Sequence, residues 1–342
     1  MKEDFTRFVP VFEIEDWCDF EGFCRGCGPI VFRGQSDSSW DLTTNYEREF
    51  GTKEGINASR ESAMLYRCLA EGKMFVENPP DRSDWVSWLA EMQHYGASTR
   101  LLDVTRSKYI ALFFALVGMK DEKPGAVWAF DVARSDNVFY DLLKARMRHV
   151  EIDRDAFRGD GILPYQDDGW KIANAAIGAE PIGKITLLSN ELNRCCRILN
   201  EWYQKGMIVH LVPQITNRRL VAQQGEFLLP FNIRHTFVQN LLGSVGGMDY
   251  ARELCEYGDA ETRRQARTTV TPNILKAIIP YSLRDEFVDR LLEMNISYQT
   301  LFPDEFGFMK SLQYRRRSSR ICLKIRNDKQ KGQVVTVNEF DL

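Results

Sequence analysis

Apolar positions recur along this chain at two spacings, one helical and one extended. Between residues 57 and 76 they fall at helical intervals, with Met64, Leu65, Leu69 and Phe75 on one side, and Pro79-Pro80 closes the element. Trp85 to His94 reads as a second helix ending near Gly96. Ser107 is placed to cap a third, running through the longest apolar stretch, Tyr109 to Met119. Asn190 to Lys205 and the amphipathic Leu283 to Met294 also have helical spacing, and Leu301-Phe302-Pro303-Asp304 caps a short last helix over Phe306 to Leu312. Extended patterns are fewer. Ile30 to Phe32 is a short apolar strand that follows a turn at Gly22 to Pro29 and delivers Arg33. Gly125 to Val132 is a strand bounded by Pro124-Gly125. Arg219 to Phe231 reads as one strand interrupted at Gly225, or as two strands flanking a kink. Residues 133–183 carry no clean period.

Composition narrows the class. The chain has 342 residues, 44% of them hydrophobic, enough for a large core. No stretch reaches the ~20 apolar residues of a membrane helix, so no membrane partner is expected. The first nine residues include Lys2, Glu3, Asp4 and Arg7 and lack an apolar run, so no secretory leader is expected. Eight cysteines in a chain this long do not make a disulfide scaffold. Cys24 and Cys27 form a CxxC without a second pair, so no metal is expected. A reducing cytoplasm fits best. The net charge of −3 argues against a bulk nucleic-acid coat, but the charge is unevenly spread. An acidic N-terminal segment (1–27) precedes a core region (28–313), and a basic tail follows (314–342). Between Arg315 and Lys331 of that tail, Arg315, Arg316, Arg317, Arg320, Lys324, Arg326, Lys329 and Lys331 face a single acid, Asp328. Such a run is either a solvated tail or a surface for phosphates or an acidic partner.

Three motifs put polar groups at the edges of apolar elements. In Phe32-Arg33-Gly34-Gln35 the guanidinium offers a planar fork suited to phosphate or ribose oxygens, and Gly34 permits close backbone approach. The plain alternative is a structural ion pair with a carboxylate such as Asp103. In the second motif His94, Tyr95, Ser98, Thr99, Arg100, Asp103, Thr105 and Arg106 gather around Gly96. Tyr95 is suited to stacking on a ring, and Ser98 and Thr99 to holding a ribose or amide. A buried structural pair of Arg100 with Asp103 is the plain alternative, and a lone histidine such as His94 is ordinarily a satisfied polar residue. In the third, Gln224 and Glu226 would share one strand face, two residues apart. A carboxylate there is either a solvent-facing edge residue or a group stabilising an oxocarbenium-like centre.

These residues resemble the FRG-domain proteins. The likeness covers Phe32-Arg33-Gly34-Gln35 and Trp40, then Gln93-His94-Tyr95-Gly96, Thr99-Arg100-Leu101-Leu102-Asp103 and Thr105, then Ala222-Gln223-Gln224-Gly225 and Phe227. It ends with Ile278 to Pro280 and Leu301-Phe302-Pro303-Asp304. The family is distantly similar to ADP-ribosyltransferases, which implies an α+β fold with a split β-sheet flanked by helices. It implies NAD⁺ as co-substrate, with catalytic Glu226 and Arg33. Arg33, Gly34, Gln35, Tyr95, Ser98, Thr99, Arg100 and Gln224 would contact the dinucleotide. It further implies a bacterial or phage-defence toxin acting on nucleic acid, RNA foremost, or on protein, and a neutralising antitoxin. The alternative is a non-catalytic module binding nucleic acid or a phosphate-bearing ligand.

Overall fold

The computed structural model describes residues 9–25, 30–52, 55–56, 58–82, 84–132, 206–212, 217–244 and 274–318. In chain order its elements are β1 (Val11–Glu13), α1 (Trp17–Gly22), β2 (Ile30–Gln35), α2 (Asn45–Phe50), β3 (Gly51–Thr52), β4 (Gly55–Ile56), α3 (Ala58–Glu71), α4 (Trp85–His94), β5 (Leu102–Thr105) and α5 (Lys108–Val117). There follow β6 (Gly125–Asp131), β7 (Ile208–Leu211), α6 (Arg218–Ala222), β8 (Gly225–Pro230), α7 (Phe237–Ser244), β9 (Ile274–Ile279), α8 (Arg284–Glu293), α9 (Tyr298–Leu301) and α10 (Glu305–Ser318). The fold is mixed α/β. One seven-stranded sheet runs in the order β1-β9-β6-β2-β5-β8-β7, antiparallel throughout except where β1 joins β9.

The helix spacing of the sequence is realised closely over α3, α4, α5 and α8. Helix α5 begins where the Ser107 hydroxyl accepts from the Ile110 N–H. It is apolar nearly all round because it is buried between β2, β6 and α8, with Ala111, Leu112, Ala115 and Leu116 sealed from solvent. The acidic N-terminal segment contributes to the same cluster. Trp17 and Phe20 of α1 are buried there, with Trp17 edge-on to Phe287 of α8 at 5.2 Å. A second cluster joins Val31, Leu102, Val104, Trp128 and Leu228 to Phe237 and Leu241 of α7. A third packs Leu89 and Met92 of α4 on Phe227 and Leu229 of β8.

The junction between β2 and β5 sets the shape of the site. Strand β2 pairs with β6 over its whole length, from Ile30↔Asp131 to Gln35↔Ala126. With β5 it makes one pair, Phe32↔Thr105. An unbroken antiparallel ladder would next pair Gly34 with Asp103, and that pair is not formed. The two strand groups therefore part just beyond Phe32.

Two sequence readings change. Residues 219–231 are not one strand or two. Asn217 caps a helical turn, its side chain accepting from the Leu220 N–H at 2.8 Å, and β8 starts only at Gly225. Between them Gln224 sits in the left-handed region at φ 46°. The last helix starts as expected, with Asp304 Oδ1 accepting from the Gly307 N–H at 2.9 Å, but extends to Ser318. The helix expected over Asn190 to Lys205, Cys27 of the CxxC and the basic residues from Arg320 onward lie outside the described residues.

One half-buried acid ties α2 to α7. Glu47 accepts from the Thr44 N–H, closing a capping box, and also from the Phe237 N–H. Burial pushes its carboxyl up to about 7, against the opposing pull of those two N–H groups and Arg48. A carboxyl raised in the fold stabilises it fully below its unfolded value near 4.5, and the contribution fades as pH climbs through about 7. The thermal midpoint is therefore expected to fall between pH 5 and pH 8.5, by the equivalent of ~2–3 kcal/mol from this group. In Glu47→Gln that part of the slope should vanish; a slope identical to wild type would refute it.

Candidate functional site

A cleft of about 420 Å³ opens where β2 and β5 part. Its floor comes from three strands: Phe32, Arg33 and Gly34 of β2, Asp103, Val104 and Thr105 of β5, and Gly225, Glu226 and Phe227 of β8. Helix α4 supplies Glu91, Gln93 and His94 from one side. Asn217, Arg219 and Gln223 come from around α6, and the rings of Phe114 and Phe302 add apolar surface.

Arg33 reaches across the gap. Its Nη1 donates to the backbone carbonyl of Asp103 at 2.7 Å. The geometry explains why that carbonyl is available. The Arg106 N–H points the other way, to Gln224 on the β8 side at 3.1 Å, so by alternation Asp103 directs its carbonyl toward β2. The guanidinium takes the place of the missing ladder donor. The pairing with Asp103 thus runs through a main-chain oxygen, not through the carboxylate expected from sequence. Its Nε is sealed from solvent and has no hydrogen-bond partner among the described residues. Burial lowers the guanidinium's pKa, with nearby Arg48 acting the same way and Asp103 opposing.

Arg219 is the second cation, absent from the sequence-based site. It donates from Nη2 to Asp304 Oδ2 at 2.6 Å and lies 5.0 Å from the Phe302 ring centre. Its Nε, like that of Arg33, is buried without a partner among the described residues. The Gly307 N–H and Arg219 hold the Asp304 carboxyl below its ordinary value. Neighbouring polar groups lock this wall: Gln223 Nε2 donates to the Leu301 carbonyl at 3.1 Å, and the Thr105 hydroxyl to the Gln223 carbonyl at 2.7 Å.

Glu226 is buried at 5% exposure, opposite Val104 in the register. One oxygen meets His210 Nε2 at 2.6 Å, the other Arg106 Nε at 3.3 Å. His210, like Arg219, is absent from the sequence-based site. The signal was a histidine inside the apolar run Ile208 to Leu211, which puts an imidazole on a strand next to β8.

Several residues expected to contact a dinucleotide do not line the cleft. Gln35 is buried, accepting from Trp128 Nε1 at 2.6 Å and donating to the Asp41 carbonyl at 3.1 Å. Tyr95 caps α4 with 74% of its surface exposed. The Ser98 hydroxyl binds Glu49, and the Thr99 hydroxyl binds Gln93. Arg100 pairs with buried Glu61 through both its N–H and its guanidinium. These contacts bolt α2, α3 and α4 to the start of β5. Gln224 is exposed in its turn. Gly34 does border the cleft, yet its missing side chain has another purpose: a Cβ there would stand 1.9 Å from the Ala111 carbonyl oxygen of α5. Of the expected set, Arg33, Gly34 and Glu226 meet at the cleft, with His94, Asp103 and Thr105 of the central motif beside them.

Residues 28–124 match the family model of the FRG domain. This segment is an FRG domain. Comparison with curated proteins and with solved structures gives no match. The FRG segment holds β2, α4, β5 and α5, hence Arg33, His94 and Asp103. Glu226, Arg219 and Phe302 come from beyond it, so the cleft joins the FRG domain to the rest of the sheet. Among the described residues no helix is long and apolar enough to cross a membrane.

Proposed function

We propose that the cleft binds NAD⁺ as a substrate and that the protein is an ADP-ribosyltransferase. The observation that carries this reading is that Arg33 and Glu226, far apart in sequence and on opposite sides of the β2/β5 parting, line one cleft. Arg33 and Arg219 line the cleft together, and two guanidinium groups suit a diphosphate. Phe302, backed by Arg219, offers a ring platform in the role first given to Tyr95. Glu226, on β8, would hold a hydroxyl of the nicotinamide ribose and stabilise positive charge developing at C1′. The acceptor is nucleic acid, RNA first, or protein, with Arg315 to Lys331 as the phosphate-binding arm in the first case.

A second reading has its own observation. Both oxygens of Glu226 are already engaged, by His210 and Arg106. A carboxylate so held can be a structural centre beneath a site that only binds a phosphate-bearing ligand.

Arg33→Ala tests the cleft itself. Hydrogen bonds to a charged group are worth ~1.5–3 kcal/mol, so affinity for NAD⁺ or ADP-ribose is expected to fall ~10–100-fold by calorimetry. Since Arg33 also serves the Asp103 carbonyl, thermal midpoints must be compared. Unchanged affinity in a folded variant removes Arg33 from the site.

A further inference from the structure

We infer that His94 is the base that takes the acceptor's proton as the acceptor attacks C1′ of the NAD⁺ ribose. The inference rests on the ADP-ribosyl transfer proposed above and names the residue that completes it.

His94 ends α4 and lines the cleft together with Arg33 and Glu226. It is half-buried, and its ring lies edge-on to Tyr95 at 4.9 Å. Among the described residues it makes no hydrogen bond or ion pair, so its ring nitrogens are not taken up by another side chain. His210 is different, since its Nε2 is engaged by Glu226. The charged groups that face His94 are Glu91 on its own helix, Arg219 from α6, and Asp304 ahead of α10. Burial and Arg219 favour the neutral ring and outweigh the two carboxylates, keeping the imidazole below its ordinary value of 6.5. At neutral pH it therefore carries a free lone pair, the form a base requires.

The step balances. The C1′–N bond breaks and its electron pair goes to the pyridinium ring, which leaves as neutral nicotinamide. A lone pair on the acceptor oxygen or nitrogen forms the new bond to C1′. The acceptor's proton moves to a ring nitrogen of His94, and the imidazolium later returns it to solvent.

The test uses the full chain with NAD⁺ and water as acceptor, following nicotinamide release between pH 5 and pH 9. His94→Ala is expected to lower kcat ~10²–10⁴-fold with KM unchanged. It should also lose the acid limb of the profile that wild type shows, and added imidazole should restore part of the rate. The diagnostic is the difference between the two profiles. His94→Gln, with its thermal midpoint, guards against a folding defect. Superimposable profiles, or a loss without a pH change or imidazole rescue, overturn the role of His94 alone. Wild type that releases no nicotinamide at any pH overturns the transferase reading, and this inference with it.

Discussion

Arg100→Leu is expected to lower the stability of the protein by ~3–5 kcal/mol, because it strands a carboxylate in the interior. Glu61 is 1% exposed, and both of its oxygens are used by Arg100, one by the backbone N–H at 2.8 Å and one by the guanidinium. Trp85 also lies beside that guanidinium, 5.9 Å from ring centre to Cζ. Removing the cation leaves the acid with a single N–H. Domains of this kind have only ~5–15 kcal/mol to spare, so the loss would be severe. The double variant Glu61→Leu/Arg100→Leu removes the stranded charge and should recover much of it. Urea denaturation midpoints of the three proteins measure this. The result also separates two roles for the central motif. A cost below ~1 kcal/mol together with a large fall in NAD⁺ affinity would return Arg100 to the ligand site.

Glu226→Gln is expected to reduce nicotinamide release from NAD⁺ by at least ~10²–10³-fold, the usual effect of removing one group that stabilises transition-state charge. The amide keeps the shape of the side chain and can still meet His210 and Arg106, so the fold should survive. Binding of ADP-ribose, which depends on Arg33 and Arg219, should change little. Full turnover in this variant would strip Glu226 of its catalytic role. Wild-type protein that binds ADP-ribose but releases no nicotinamide would instead favour the binding-module reading, with Glu226 as a buried structural carboxylate.

What the sequence revealed follows from the kind of signal each part carried. Helices α4 and α5 were legible to the residue or nearly so, because periodicity and the Ser107 cap act locally. The stretch 218–222 was misread because five residues are too few to establish a period, and Arg-Arg-Leu-Val-Ala is as compatible with an extended run. The decisive local cue was Asn217, which caps the turn. In the central motif, composition pointed to the right neighbourhood but could not say which polar groups face outward. Ser98, Thr99 and Arg100 spend their hydrogen bonds on Glu49, Gln93 and Glu61, partners up to 49 residues away. His94, which sequence logic treats as a satisfied residue, makes no such bond among the described residues. Arg219 and Phe302 were hidden because their role depends on α6 and α9 meeting beside the cleft, a tertiary fact.

The parting of β2 from β5 has a cost that reaches beyond the site. A sheet with a complete ladder at this seam would gain backbone hydrogen bonds, each worth ~0.5–1.5 kcal/mol net, and would have no cleft. The fold forgoes them and mends one with the Arg33 side chain. Arg33 is thus both a rung of the sheet and a wall of its opening. A lysine there brings charge but not a planar fork, so it cannot be relied on to meet a ligand and the Asp103 carbonyl at once. Any evolutionary route that abandons the ligand must either keep this arginine for the sake of the backbone or sew the seam shut.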